Sequence, residues 1–184
     1  MDVTLKRPLG PLDWLQVYRL YRQAFPSSER KPFAIILRMT RRNKTDVWQL
    51  LSDGRFAGFA TTINGDGVVM LDYLAVKQTA RNGGIGTEAL RLLQERYAGQ
   101  GFFVEIESPF EEGPDQIDRQ RRRAFYQRCG LKPLKVMAVV FGVKMELLGR
   151  DCNLDFDRYQ AFYRDNYSPF AAEHLVKAPH PENK

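Results

Sequence analysis

The stretch that decides the fold is LDYLAVKQTARNGGIGTEALRLLQERYA, residues 71–98. Its first six residues have the apolar character of a strand, and apolar residues then recur at helical spacing, at Ile85, Ala89, Leu92 and Leu93. Three glycines between the two elements let the backbone turn tightly and leave its N–H groups uncovered. Because a helix N-terminus carries unpaired amide donors and a partial positive charge, this stretch predicts a loop that binds phosphate.

Several kinds of glycine loop occur at a strand-to-helix junction. A P-loop is excluded because no Lys-Ser/Thr pair follows the second glycine. The dinucleotide fingerprint fits better, since Gly84, Gly86 and Ala89 match its G-x-G-x-x-A form and Glu105 lies at a suitable distance to hold a ribose. Against it, residues 77–83 separate the glycines from the strand, and too few strand–helix units follow. A plain turn is the other alternative.

Two motifs in this order indicate a family. Arg81-x-x-Gly84-x-Gly86, between a hydrophobic strand and a helix, resembles the acyl-CoA-binding motif of the GNAT superfamily of N-acetyltransferases. The stretch AFYQRCGL, residues 124–131, is similar to the downstream Phe-Tyr-x-x-x-Gly-Phe element of that superfamily, with Leu131 in place of the usual aromatic residue. The loop FPSSERKPF, residues 25–33, is similar to a branch of uncharacterised bacterial members.

The resemblance implies that acetyl-CoA is the cosubstrate. In the superfamily, the main chain of the fourth strand pairs with the pantetheine amides, and the glycine loop takes the pyrophosphate. In this sequence the corresponding positions are Leu74, Ala75 and Val76 for the strand, and Arg81, Asn82, Gly83, Gly84, Ile85, Gly86 and Thr87 for the loop.

Length and composition restrict the class of protein. A chain of 184 residues with ordinary apolar content is the size of one domain. No apolar run is long enough to cross a bilayer and no secretory signal begins the chain, so we expect a cytoplasmic protein without a membrane partner. Cys129, Cys152, His174 and His180 lack ligand spacing, so we expect no metal.

The net charge of +6 favours an anionic partner. The phosphates of acyl-CoA could account for it, and so could ordinary solvated surface charges. Nucleic acid is the weaker alternative, because no aromatic residues are interleaved with the arginines at 119 and 121–123 to stack on bases. The basic residues that could favour the approach of acyl-CoA are Arg38, Arg41, Arg42, Lys44, Lys77 and Arg81.

Turn signals define the predicted sheet. Asp53-Gly54 and a second turn at 64–67 separate predicted strands at 47–52, 56–63 and 68–76, which should form an antiparallel meander. A strand at 102–106 follows the helix at 86–98 and should be parallel to strand 68–76, because a strand–helix–strand unit crosses over. Two further strands are predicted, roughly at 134–140 and 142–148.

The predicted fold class is therefore α/β (α+β). With the resemblance, we expect a mixed, mostly antiparallel sheet of about seven strands flanked by helices, whose fourth and fifth strands are parallel and splayed. One acetyltransferase domain should span residues 1–166. Residues 167–184, which contain three prolines, are predicted to be a C-terminal tail.

Two predicted helices, 12–25 and 33–42, precede the meander. In the first, Leu12, Leu15 and Tyr18 are predicted to form the buried stripe, which Tyr21 and Phe25 could extend. In the superfamily the loop between these helices overlies the acceptor site, so Glu29 and Arg30 are candidates for acceptor binding. The alternative is an exposed loop in which Ser27 or Ser28 bonds to the backbone.

Three carboxylates are candidate bases for deprotonating an amine. Asp72 lies two residues before Leu74 and therefore shares its strand face, and Glu105 and Glu107 share a face of the next strand. If the two faces coincide, the cluster would raise the proton affinity of one member and attract an ammonium group, with Asp72 and Glu107 also contacting the acceptor. The alternative for Asp72 is a strand-end carboxylate bonded to neighbouring backbone or to an arginine. For Glu105 and Glu107 it is a salt bridge to the arginine-rich helix predicted at about 117–129.

Tyr126 is the candidate acid, because the superfamily uses a tyrosine in this motif to protonate the leaving thiolate. A buried ring with a satisfied hydroxyl is the alternative. Arg119 stands where members commonly have an asparagine that contacts the CoA arm, so that contact is not expected here. Cys129 has no adjacent base in the sequence, which favours direct transfer over an acyl-enzyme.

The sequence thus predicts an N-acetyltransferase that moves an acetyl group from acetyl-CoA to a primary amine of a small, cationic acceptor by direct attack. The alternative is a catalytically silent acyl-CoA-binding sensor or interaction module. A homodimer is left open.

Overall fold

The computed structural model of the chain describes residues 1–27 and 29–181. Within these ranges the strands are β1 (Val3–Lys6), β2 (Thr45–Ser52), β3 (Arg55–Asn64), β4 (Val68–Val76), β5 (Gly101–Glu107), β6 (Lys132–Val140), β7 (Val143–Arg150) and β8 (Leu175–Ala178). The helices are α1 (Pro11–Ala24), α2 (Phe33–Arg41), α3 (Ile85–Arg96), α4 (Gln116–Arg128), α5 (Phe156–Asn166) and α6 (Pro169–Glu173).

The strand order is β1-β2-β3-β4-β5-β7-β6-β8. The sheet is mixed and mostly antiparallel, and β4 and β5 run parallel, as predicted. The predicted splay between them stays a prediction. By its internal contacts the chain forms two compact units, one made of residues 1–64 and 71–96 and the other of residues 65–70 and 97 onward.

Tight turns organise the first unit. Asp53 and Gly54 both have positive φ, at 49° and 76°, which is the conformation that closes a two-residue hairpin between β2 and β3. The β2–β3 pairing runs from Thr45↔Ile63 to Ser52↔Arg55, and β1 pairs with the other edge of β2. An added Cβ at Gly58 would lie 2.4 Å from the Ala75 carbonyl oxygen, so β3 approaches the β4 backbone too closely for any side chain there.

Helix α1 buries only part of the predicted stripe. Leu12 is 75% exposed, Leu15 is 40% exposed and Tyr18 is 36% exposed, so the prediction is wrong for these three residues. Tyr21 is buried and Phe25 is partly buried, as the extended stripe predicted. The buried residues are Val17, Leu20 and Tyr21, which also recur at helical spacing. They pack with the aromatic residues Phe59 and Tyr73 of β3 and β4 in one core cluster.

Helix α3 covers the other core cluster of the first unit. Ile85, Ala89 and Leu93 are buried, and Leu92 is partly buried, as the spacing predicted. Ile85 packs with Val3 of β1 and Ala57 of β3. This packing fixes the start of α3, and with it the glycine loop that precedes the helix.

In the second unit, β7 pairs with β5 from Phe102↔Arg150 to Glu107↔Met145 and also pairs with β6. The N–H of Gly101, at the start of β5, donates to the Gly67 carbonyl just before β4, at 2.9 Å. Helix α5 contributes buried Tyr159, Phe162 and Tyr163.

The predicted tail contains regular structure. Residues 169–173 form α6 and residues 175–178 form β8, which pairs with β6 from Met137↔Ala178 to Val140↔Leu175 and brings the strands in the described part of the chain to eight. The prediction of an irregular tail took the prolines as helix breakers. Pro169 instead occupies the first turn of a helix, where its missing N–H costs nothing. The Ser168 hydroxyl caps this helix by accepting from the Ala171 N–H. Residues 182–184 lie outside the described residues.

Among the residues that the structure describes, none of the helices combines the length and the apolar character needed to cross a membrane.

Candidate functional site

The glycine loop follows β4 in the first unit. After Val76 the chain makes a short 3-10 turn at Gln78–Ala80, and the Arg81 Nε then donates to the Val76 carbonyl at 3.2 Å. One N–H of this guanidinium therefore fixes the loop to the end of the strand. Its other nitrogens belong to an exposed side chain and can still face an anion.

The loop backbone is open at the helix start. Asn82 and Gly84 have positive φ, at 65° and 78°, and residues 81–84 are all exposed. The first helical bond of this end runs from the Glu88 N–H to the Gly84 carbonyl, at 3.0 Å. Among residues 1–27 and 29–181, none of the N–H groups of residues 82–87 has a backbone or side-chain acceptor.

These residues fit a phosphate group. The unpaired amides lie at the N-terminus of a helix of twelve residues, where the partial positive charge favours an anion. An added Cβ at Gly84 would meet only the Met1 Cε, at 3.7 Å.

Asp72, the candidate base on β4, forms an ion pair. Its Oδ1 accepts from the Lys31 Nζ at 2.5 Å, and the two side chains are 9% and 24% exposed. The Lys31 ammonium also lies 5.5 Å from the centre of the Tyr73 ring. Asp72 was predicted as a candidate base, with a strand-end carboxylate bonded to the backbone or to an arginine as the alternative. In the structure its charge is balanced by a lysine from the loop between α1 and α2.

Two buried tyrosines hold that loop. The Tyr73 hydroxyl donates to the Glu29 carbonyl at 2.9 Å and accepts from the Lys31 N–H at 3.2 Å. The Tyr21 hydroxyl donates to the Lys31 carbonyl at 2.9 Å. Burial, and then the negative charge of Asp72, raise the pKa of the Tyr73 phenol well above its usual range, so it stays a hydrogen-bond donor.

Arg30 lies between these fixed positions, and its Nε is buried without a hydrogen-bond partner among the described residues. The alternative to acceptor binding invoked a cap from Ser27 or Ser28, and Ser28 lies outside the described residues. The first unit thus brings Asp72, Glu29 and Arg30 together. Lys31 joins them, although the sequence analysis did not single it out.

Glu105 and Glu107 lie in the second unit, and each has a partner. The Tyr163 hydroxyl donates to the Glu105 Oε2 at 2.8 Å. The Glu107 Oε2 lies 3.9 Å from the Arg119 Nη1, with the Glu107 side chain 30% exposed. The ion pair with the arginine-rich helix was the stated alternative for both residues, and the structure shows it for Glu107, whereas Glu105 bonds to a tyrosine of α5.

Tyr126 lies in the last turn of α4 and is 8% exposed. Burial raises the pKa of its phenol to about 12, against a smaller lowering effect of Arg122. A tyrosine that holds its proton so firmly is fully protonated at neutral pH, as a proton donor must be. Its catalytic role stays a prediction.

The sequence reasoning missed a buried ion pair in the second unit. Arg123 of α4 contacts Glu146 of β7 through both carboxylate oxygens, at 2.9 to 3.1 Å, and the Glu146 side chain is fully buried. His180 lies beside the same carboxylate, at 3.5 Å. The only signal was an acidic residue within an apolar strand, which gives no indication of its partner.

Comparison with known proteins identifies the family. The family model for the "Acetyltransferase (GNAT) family" matches residues 14–131. Among curated proteins, none matches the chain significantly. Among solved structures, a GNAT-family protein from Bacteroides thetaiotaomicron has a TM-score of 0.73 and 21% identity over 94% of this chain and 99% of its own.

Other similar structures are named for different acceptors. An aminoglycoside 6′-N-acetyltransferase complexed with coenzyme A has a TM-score of 0.67 and 16% identity, covering 82% of this chain and 96% of its own. The ribosomal-protein-S18-alanine N-acetyltransferase from Escherichia coli has a TM-score of 0.55 and 16% identity, covering 80% of this chain and 92% of its own. At such identities the likeness concerns the fold and leaves the acceptor undecided.

The family model covers more than half of the chain. This protein therefore belongs to the GNAT family of acetyltransferases and is an acetyl-CoA-dependent enzyme.

Proposed function

We propose that the chain transfers the acetyl group of acetyl-CoA to the primary amine of a small-molecule acceptor by direct attack. The observation that carries this proposal is the row of unpaired amides at residues 82–87, which precedes and begins α3 in a member of this family. Those amides and the Arg81 guanidinium would hold the pyrophosphate. The main chain of Leu74, Ala75 and Val76 would hold the pantetheine arm, as the resemblance implies.

The reaction needs one bond formed and one broken, and three protons must move when the acceptor arrives as an ammonium group. After the nitrogen has lost its first proton, it attacks the thioester carbonyl carbon and the C–S bond breaks. The sulfur takes a proton from the Tyr126 hydroxyl, and the nitrogen, now cationic, releases its second proton, which restores the Tyr126 hydroxyl directly or through solvent. The high pKa of Tyr126, caused by burial, makes the phenol a weak acid, but one that is always protonated when the thiolate leaves.

The amine must lose a proton to attack. Asp72, Glu105 and Glu107 are the proposed acceptors of that proton, directly or through water. Glu107 is best placed for exchange with solvent, because its side chain is 30% exposed and its ion pair with Arg119 is long, at 3.9 Å. Asp72 would first have to separate from Lys31.

The finer proposal of a cationic acceptor has weaker support than the amine itself. It depended on three unpaired carboxylates, and each of them has a partner, in Lys31, Tyr163 and Arg119. The ammonium form of an amine would still be attracted by Glu107. The charge on the rest of the acceptor is a separate question.

Thiol release from acetyl-CoA, measured against a panel of amines, tests the proposed function. The panel should contain polyamines, aminoglycosides, amino acids and amines without another charge. We expect acetyl-CoA-dependent thiol release with at least one class. Tight acetyl-CoA binding with no release on any amine would contradict the proposal and favour the sensor alternative.

A further inference from the structure

Arg30 carries an unsatisfied buried donor in the loop that reaches Asp72. Its Nε has no hydrogen-bond partner among residues 1–27 and 29–181, and neither a hydrogen bond nor an ion pair of its guanidinium is found within those residues. A buried donor on a charged group that lacks an acceptor costs free energy. An anionic ligand would remove that cost.

The backbone on both sides of Arg30 is fixed. Glu29 is held through its carbonyl by Tyr73, and Lys31 is held through its N–H by Tyr73 and through its carbonyl by Tyr21. Both tyrosines are buried, at 7% and 2% exposure. The Arg30 side chain is therefore presented from a rigid segment, which lowers the entropy lost when it binds a ligand.

The neighbouring charges leave Arg30 as the cation available to a ligand. The Lys31 Nζ forms an ion pair with the Asp72 Oδ1 at 2.5 Å, so the pair adds little net charge. A guanidinium presents a planar fork of donors that matches a carboxylate with two parallel hydrogen bonds. A polycationic acceptor would gain nothing from this group and would be repelled by it.

The loop that carries Arg30 contacts β4 at residues 72 and 73, which lie away from the loop proposed to bind the diphosphate. The tyrosine and aspartate that fix the loop are residues 72 and 73, whereas the glycine loop begins after Val76. At the rise of an extended strand, Asp72 and Val76 are about 13 Å apart. The anion that Arg30 receives therefore lies near the opposite end of this strand segment from the phosphate-binding amides.

We propose that Arg30 binds a carboxylate of the acceptor, so that the acceptor carries a carboxylate as well as its reacting amine, as an amino acid or a small peptide does. This inference rests on the proposed function, because it assigns the substrate class of the same site. Arg30 then determines specificity by charge, while the Lys31–Asp72 pair and the two tyrosines position it.

The first test compares matched acceptors. Amino acids and their carboxamides have the same amine and differ in the anionic group, so kcat/KM from thiol release isolates the carboxylate. We expect at least a tenfold preference for the acid. In Arg30→Gln the acceptor KM should rise at least tenfold and the preference should vanish, while kcat and the KM of acetyl-CoA stay within twofold. Arg30→Lys should restore part of the preference.

Arg19→Gln is the matched control, since Arg19 is an exposed arginine of α1 outside the loop. It should keep the full preference for the acid. Equal or better turnover of the carboxamide or of a polyamine by the wild-type protein would overturn the proposal. So would an Arg30→Gln variant that retains the preference.

A second readout does not need turnover. The Nε–H resonance of Arg30 in a ¹⁵N NMR spectrum is identified by its loss in Arg30→Gln, and addition of an amino acid should shift it, whereas the carboxamide should not. If no amine of any charge is acetylated, the proposed function fails, and this titration still decides the role of Arg30. An unshifted resonance at saturating amino acid would overturn it.

Discussion

Replacing Tyr126 by phenylalanine removes a hydroxyl that is the proposed proton donor and whose pKa is raised by burial. As the proposed proton donor to the thiolate, its loss should lower kcat by roughly ten- to a thousand-fold, which is the usual scale of lost acid catalysis. The dissociation constant of acetyl-CoA should change by less than about twofold, because the phenol is proposed to act on the leaving group rather than on the phosphates.

The same substitution has a measurable effect on alkaline stability. Burial raises the pKa of Tyr126 from 10.0 to about 12, so the unfolded phenol ionises at a lower pH than the folded one. Its contribution to stability is full below pH 10 and is lost as the pH rises toward 12. Two pKa units correspond to about 3 kcal/mol, of which about half should be lost by pH 11.

Denaturant unfolding of both proteins from pH 8 to pH 11.5 gives the difference directly. The wild-type protein should lose stability relative to Tyr126→Phe above pH 10, and the two curves should run parallel below it. Tyr97→Phe is the control for activity, since Tyr97 is buried to the same degree, at 7% exposure, and has no proposed role in the reaction. An unchanged kcat in Tyr126→Phe would refute the catalytic role. Stability curves that stay parallel up to pH 11.5 would refute the raised pKa of the buried phenol.

Two further predictions concern the fold of the first unit. Gly58→Ala should destabilise the protein by at least about 2 kcal/mol, because its Cβ would lie 2.4 Å from a backbone oxygen, whereas Gly10→Ala, with nothing within 4 Å, should change the free energy of unfolding by less than about 1 kcal/mol. Val17→Ala should cost about 2 kcal/mol and Leu12→Ala close to none, since Val17 is 0% exposed and Leu12 is 75% exposed. Equal losses within either pair, measured by denaturant unfolding, would contradict the packing described above.

Local signals in the sequence predicted the elements that depend on local chemistry. The hairpin at Asp53-Gly54 follows from two positions with positive φ, and the loop before α3 follows from glycines ahead of a helical repeat. The strand 68–76 was predicted with its observed bounds, because turn signals precede it and a 3-10 turn follows. The strand–helix–strand pattern then indicated the parallel neighbour of that strand.

The failures concern choices that only tertiary packing decides. Helix α1 has two apolar stripes at helical spacing, and the sequence does not say which one meets Phe59. Lys31 and Asp72 are 41 residues apart, so their ion pair leaves no local signal in the sequence. The C-terminal strand β8 was missed because Pro169 signals the start of a helix as well as the end of structure.

The central claim is that the amides beside Gly84 bind the diphosphate of acetyl-CoA, and calorimetric titration of acetyl-CoA into Gly84→Asp tests it most directly. Gly99→Asp is the matched control, because Gly99 also has a positive φ, at 88°, with nothing within 4 Å, and lies outside the loop. With thermal unfolding showing both variants folded, the account predicts a loss of affinity of at least about tenfold, or about 1.4 kcal/mol, in Gly84→Asp alone. Wild-type affinity in Gly84→Asp, or an equal loss in both variants, would contradict it.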